Sequence, residues 1–218
     1  MYFGVIMKKI VARHLWLFLV FCFLSVFAVG SVGFLAYTII KQSPGSVDLR
    51  AKESLDPSKV GGAVLVTNFG KIEIKFDKTG APNTVSNFIK LADEGFYDGT
   101  RFHRIVKGFA IQGGDPLSKD KSLVAQWGHG GPGYTFADEI HSEDQMLAGT
   151  LVMANEGKDS NGSQFLILTA DSSWLNGQNT IFAKVVLGMD VVLAIGNLDA
   201  GVTGIPSREV VLSEIILK

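Results

Sequence analysis

Residues 101–115 read RFHRIVKGFAIQGGD. His103 and Arg104 stand among alternating apolar residues, and a Gly113-Gly114 turn closed by Asp115 follows. A strand that only builds a core has little use for Arg104 between Phe102 and Val106. An isolated arginine in a strand is usually a snorkelling edge residue, so the flanking sequence must decide between the two readings.

Working outward, residues 101–106 and 109–112 read as two strands. Upstream, residues 63–67 and 71–76 flank a short turn, with Ile72, Ile74 and Phe76 alternating with Lys71, Glu73 and Lys75, the mark of a sheet buried on one face. Pro82 suits the first turn of a helix. Val85, Phe88, Ile89 and Ala92 share one face of that helix, and Gly95 is placed to cap its C-terminus. Downstream, residues 116–133 form a long Gly-containing loop, a length often tied to function. Further strands are expected at 134–136, 150–154, 165–169, 180–187 and 209–217, with a short second helix at 190–195. About eight short strands with two helices predict a mainly β, closed, eight-stranded antiparallel barrel capped by the helices, since closure removes sheet edges. Strands and helices do not alternate, which argues against a doubly wound fold.

The N-terminal part differs in kind. Residues 15–40 carry no charged side chain and extend for about 25 residues, enough to cross a hydrocarbon layer of roughly 30 Å. The apolar run continues past Ala28-Val29-Gly30, the one spacing that suits signal cleavage, so an uncleaved transmembrane anchor is expected. Lys8, Lys9 and Arg13 precede it, which places the N-terminus inside and the rest outside the cytoplasm. The organisation expected is a basic tail at 1–14, a span at 15–40, a polar tether with Pro44 and Pro57 at 41–62, and a domain at 63–218.

Composition excludes several functions. Residues 41–218 hold 17 Lys and Arg against 21 Asp and Glu, a net of −4, a poor balance for binding nucleic acid. The single cysteine, Cys22, lies in the span, so the domain has neither a disulfide nor a cysteine zinc site. His129 and His141 flank Asp138 and Glu139 at no ligand spacing, and no metal is expected. No GxSxG elbow supports a serine hydrolase.

Three ordered blocks carry a resemblance: FHRIVKGFAIQGGD at 102–115, MANEGKDSNGSQF at 153–165 and WLNGQNTIFAKV at 174–185. PNTVSNF at 82–88 and GHGGPGY at 128–134 support them. Together they resemble the cyclophilin family of peptidyl-prolyl isomerases over nearly the whole domain. The resemblance implies that Arg104 is the catalytic arginine, and that His103, Phe109, Gln112, Ala154, Asn155, Gln164, Leu166, Trp174 and Leu175 bind substrate. It implies proline-containing polypeptides as substrates, a monomer, no cofactor, and sensitivity to cyclosporin through Trp174. Three positions depart from the family pattern. Leu166 replaces an aromatic residue, Ala110 a methionine and Asn179 a histidine, which predicts a weaker grip on proline. A non-catalytic proline-peptide-binding or chaperone module on the same fold is the alternative.

The physical logic stands beside the resemblance. Strict alternation puts Arg104 and Gln112 at even positions and Phe109 at an odd one, so a bend is needed before all three can share a cleft.

Overall fold

The computed structural model describes Leu55–Lys218. The basic tail, the apolar span, Cys22 and residues 41–54 of the tether lie outside the described residues. Among the described residues no helix is long and apolar enough to cross a membrane.

Nine strands build one antiparallel sheet: β1 (Gly62–Thr67), β2 (Gly70–Phe76), β3 (Thr100–Arg101), β4 (Arg104–Val106), β5 (Ala110–Gly113), β6 (Thr150–Met153), β7 (Phe165–Leu168), β8 (Ile181–Leu187) and β9 (Val211–Leu217). Their order is β3-β9-β1-β2-β8-β6-β7-β5-β4. The expected closed barrel of eight strands is instead a curled, open half-barrel of nine, because no ladder joins β3 to β4. The expected strand at 101–106 is two strands. Phe102 donates its N–H to Val210 O at 2.9 Å, and two residues later Ile105 donates to Gly204 O at 2.7 Å. The chain thus crosses from one end of the sheet to the other through Phe102 and His103 without pairing sideways. Residues 134–136 are not a strand either; only Phe136 pairs, in one bridge to Asn161. Pro57–Lys59, within the stretch read as tether, form one 3-10 turn.

The two ends of the sheet are covered rather than joined. Ser118 Oγ accepts the N–H of Arg101 at 2.8 Å on β3, and Gly204 covers β4. Unpaired strand edges invite association with other chains, and both covers remove that invitation.

Alternation sorts the side chains between two faces. Ile105, Ile111, Leu151, Met153, Phe165 and Ile167 enter the main core. Ala110, Val152, Leu166 and Leu168 point to the other face and form a smaller cluster with Met146.

Helix α1 (Pro82–Asp93) buries Val85, Phe88, Ile89 and Ala92 against the main core, as its periodicity requires. Gly95, with φ +68°, ends it: Phe96 N–H returns to Leu91 O at 2.9 Å, closing the helix in the left-handed manner of a C-terminal glycine. Its N-terminus has no side-chain cap from Ala81. The cap comes from afar. Glu139 Oε1 accepts the N–H of Asn83 at 3.0 Å and Oε2 that of Thr84 at 2.8 Å. A carboxylate there satisfies two orphan donors and meets the positive end of the helix dipole. Helix α2 (Met189–Gly196) buries Val192 and Ile195.

Phe88 is the hub of an aromatic cluster. Its ring lies 5.0 Å from Tyr97, 5.2 Å from Phe182, and 5.7 Å from both Phe76 and Phe165. It ties α1 to three strands at once. Truncating a buried phenylalanine removes its transfer free energy and leaves a cavity. Phe88→Ala is expected to lower unfolding free energy by about 3–5 kcal/mol, read as the shift in a urea midpoint at constant slope.

Candidate active site

The site grows from the register of the sheet. Arg104 on β4 pairs with Gln112 on β5, Gln112 with Leu166 on β7, and Leu166 with Val152 on β6. These four residues form one row across four strands, all on the face away from the main core. The row sets a cation, an amide and apolar side chains side by side at the interstrand spacing of about 4.8 Å.

The turn at residues 107–109 answers the parity question. Phe109 lies between β4 and β5, outside both ladders, so strand alternation does not govern it. It packs on the small cluster of Ala110 and Leu166, as do Ala154 and Leu175. Its ring lies 5.7 Å from that of Trp174, which is 60% exposed.

A cleft of about 590 Å³ opens over the row. Of the residues predicted from sequence, Arg104, Gln112, Ala154, Asn155, Gln164 and Leu166 line it. Phe109, Trp174 and Leu175 stand beside it as a continuous apolar shoulder. His103 is not brought in: it is 3% exposed, and neither ring nitrogen has a hydrogen-bond partner. Burial holds its imidazole below the usual histidine range, and the Asp115 carboxylate and the Arg101 backbone, which lies near the ring but beyond good hydrogen-bond geometry, pull the other way. A neutral ring is what such a place selects. Asn179 lines the cleft and donates Nδ2–H to Met153 O at 3.0 Å, fastening the end of β6.

A directed chain of hydrogen bonds crosses the cleft. Arg104 donates Nη1–H to Gln112 Oε1 at 3.3 Å. Gln112 donates Nε2–H to Gln164 Oε1 at 2.8 Å. Gln164 donates Nε2–H to the carbonyls of Gly128 and Gly130, each at 2.8 Å. Each amide must present its oxygen toward Arg104 and its nitrogen away, so the chain has one orientation. Among the described residues the guanidinium makes only this one side-chain hydrogen bond.

The sequence reading missed the residues that anchor this chain. Asp115 is fully buried. Its Oδ1 accepts Leu117 N–H at 2.7 Å, and its Oδ2 accepts Gly128 N–H in a short bond. It therefore pins the long loop at Leu117 and Gly128, and residues 128–133 of the loop, with Tyr134 and Thr135, wall the cleft. The acid was visible at the end of the Gly-Gly turn; its partner 13 residues on was not. The His129, His141, Asp138 and Glu139 group does not converge. His129 lines the cleft, His141 Nε2 meets Gly80 O at 2.7 Å, Glu139 caps α1, and Asp138 Oδ1 accepts from Asn161 at 2.8 Å.

Comparison with known proteins identifies the family. The family model for cyclophilin type peptidyl-prolyl cis-trans isomerase matches residues 63–216. Human peptidyl-prolyl cis-trans isomerase-like 1 is 41% identical over 136 residues, 62% of this chain and 79% of the relative. Peptidyl-prolyl cis-trans isomerase B of Streptomyces anulatus is 40% identical over 175 residues, 72% of this chain and 95% of the relative. The crystal structure of a cyclophilin type peptidyl-prolyl cis-trans isomerase of Cryptosporidium parvum superposes with a TM-score of 0.67 at 32% identity, covering 73% of this chain and 98% of that one. The same protein crystallised in the presence of the dipeptide Ala-Pro gives 0.66.

Gly204 places the arginine from behind. Its φ is +78°, and a Cβ there would lie 2.9 Å from Arg104 Cγ and 3.2 Å from Ile105 O. Gly204→Ala is expected to shift the Arg104 Nε–H resonance and to cost about 1 kcal/mol or more, since alanine is strained at positive φ. Two-dimensional NMR and a urea melt check both.

Proposed function

The chain belongs to the cyclophilin-type peptidyl-prolyl cis-trans isomerases, and on that premise we propose how its cleft turns an X-Pro bond. Rotation about an amide meets a barrier of about 18–20 kcal/mol, because nitrogen shares its lone pair with the carbonyl. No covalent bond breaks. The enzyme must hold the twisted amide more tightly than either planar form. The apolar shoulder of Leu166, Phe109 and Leu175 takes the pyrrolidine ring and keeps it still while the preceding residue swings. Arg104 donates to the prolyl nitrogen as its lone pair localises, or to the carbonyl oxygen as it turns. A guanidinium serves because it stays charged and its donors are rigid. The observation that carries this reading is the row itself: a cation held by an oriented amide chain, beside a small apolar patch on the same sheet face. Donors fixed before the reaction need no reorganisation during it.

Gln164 and Asn155 border the same cleft, and in this reading they receive the peptide backbone on either side of the proline. The substrates are proline-containing polypeptides. The apolar span at 15–40 anchors the domain outside the cytoplasm, so the clients are proteins folding there, where proline isomerisation is slow enough to limit the rate. A reporter fused after Lys218 reads that topology: activity only of a periplasm- or lumen-dependent reporter supports it, and activity only of a cytoplasm-dependent one reverses it.

Arg104→Ala is expected to lower kcat for isomerisation of a proline peptide by about 10²-fold or more, the size typical of losing one preorganised donor, while the domain stays folded. A variant with parental kcat overturns the donor role. If the parent binds the peptide without exchanging its isomers by NMR, the non-catalytic binding module is the better account.

Leu166 has room to test the grip on proline. Burial of an aromatic ring adds about 0.5–1.5 kcal/mol where it meets another ring, and Phe109 is beside it. Leu166→Phe is expected to raise kcat/KM several-fold, mainly through KM; a fall at unchanged stability overturns the proline-pocket role of Leu166.

A further inference from the structure

The loop after β5 does more than wall the cleft. Between Pro116 and Gln126 it winds into two 3-10 helices, Pro116–Lys119 and Lys121–Gln126. Asp115 caps the first by accepting from Leu117, and Asp120 caps the second by accepting from Ser122. Trp127 closes the second, donating Nε1–H to Asp120 O at 3.0 Å. This folded loop leans on the far end of the sheet, and between it and residues 205–210 lies a second cavity of about 320 Å³. It shares no lining residue with the Arg104 cleft. The isomerase reaction makes no use of it.

Its chemistry is definite. Val124, Trp127, Ile205 and Pro206 supply apolar wall, and Val124 is 42% exposed, so the wall faces solvent. Arg101, Lys121 and Glu209 supply the charge. The Glu209 carboxylate is shared: Arg101 Nε reaches Oε1 at 2.7 Å and Lys121 Nζ reaches Oε2 at 2.9 Å. Arg101 is further fixed by the carbonyls of Ser118 and Lys119 and lies 5.7 Å from the centre of the Trp127 ring. Two cations face one anion in the lining, and the Asp120 carboxylate lies outside it, within electrostatic reach of Arg101. Residues 55–218 as a whole carry 14 Lys and Arg against 19 Asp and Glu, a net of −5, so this basic place is set into an acidic domain. An acidic ligand is repelled by most of the surface and drawn here. Lys121, 68% exposed in its side chain and paired with Glu209, is the cation most open to solvent.

We propose that this second cavity is a docking site for an extended polypeptide segment carrying a large apolar side chain next to an acidic one. The apolar side chain fills the space beside Trp127 and Val124, and the carboxylate meets Lys121 and Arg101. The volume suits one large side chain and its neighbour, at the small end of ligand cavities. Such a site gives the domain a hold on a polypeptide that does not depend on proline, and two weak holds on one chain reinforce each other.

The test uses the full chain, isotope-labelled, and a probe peptide that is acetylated, amidated, free of proline, and carries one phenylalanine followed by two aspartates. The expected result is a saturable shift of the Val124, Trp127 and Ser207 amide resonances. Replacing both aspartates of the probe with lysines is expected to weaken binding at least tenfold. Lys121→Glu, at an exposed position, and Val124→Ala, which removes apolar wall without charge, are each expected to weaken the original probe, Lys121→Glu by at least tenfold. Four results overturn the proposal: no saturable shift, equal binding of the lysine peptide, complete displacement of the probe by a proline peptide, or shifts produced by phosphatidylserine vesicles and not by the peptide. Isomerisation of a proline peptide, measured on the same samples, reports on the Arg104 cleft alone, so failure of one reading is separable from failure of the other.

Discussion

The cross-strand register that seats Gln112 between Arg104 and Leu166 is the constraint on which the rest depends. Side chains alternate along a strand, so a slip of one residue would send Arg104 into the core and bring Ile105 out. The core forbids that slip. Ile105 is 2% exposed and Ile111 and Ile167 are fully buried, and they form the adjoining row on the same three strands. The apolar side chains that stabilise the fold thereby fix the polar ones that serve the site. Local geometry and function are set by one alignment of hydrogen bonds.

The sheet holds this register although it does not close. Barrels remove edges by pairing the last strand to the first; here the ends are linked only through Phe102 and His103, and each is covered by a loop. Those covers have second duties. The segment around Gly204 that protects β4 also limits where Arg104 can sit. The loop that protects β3 through Ser118 continues to Gly128 and Gly130, whose carbonyls fix Gln164. Phe88 holds the opposite side of the sheet to α1, so the curl is supported from within while the loops finish it from outside.

Much of this was legible in the chain. The alternation of Ile72, Ile74 and Phe76, the helical face of Val85, Phe88, Ile89 and Ala92, and the Gly95 cap all follow from short-range periodicity, and each is found as read. The site residues came from motif blocks rather than from periodicity, and six of the ten line the cleft. What failed to show was long-range. No local signal at Phe102-His103 says that the strand breaks, because both residues suit a strand; the break is imposed by bonds to Val210 and Gly204, about a hundred residues away. Residues 134–136 have strand-like composition but meet only one partner. Glu139 reads as a surface loop residue beside two histidines, and it is a helix cap, because the helix that needs it lies 55 residues upstream. His103 sits next to the arginine in sequence, but it lies in the connection between the two strands and is buried.

The guanidinium of Arg104 is held in place along a line of hydrogen bonds. Arg104 is exposed and would sample many rotamers alone. Gln112 restrains it, Gln164 restrains Gln112, and two backbone carbonyls restrain Gln164. Those carbonyls belong to a glycine-rich loop, the least self-ordering backbone there is. Asp115 supplies the order. A fully buried carboxylate is costly unless hydrogen-bonded, and Asp115 is bonded to the loop at Leu117 and Gly128, so moving the loop would leave that acid without its donors. Freeing Arg104 would thus disturb the hydrogen bonds of a buried side chain well away from it. An apolar residue in place of Asp115 could fill the space but could not hold Gly128, because only an acceptor engages a backbone N–H. The acid at the end of RFHRIVKGFAIQGGD and the arginine near its start are therefore two ends of one device.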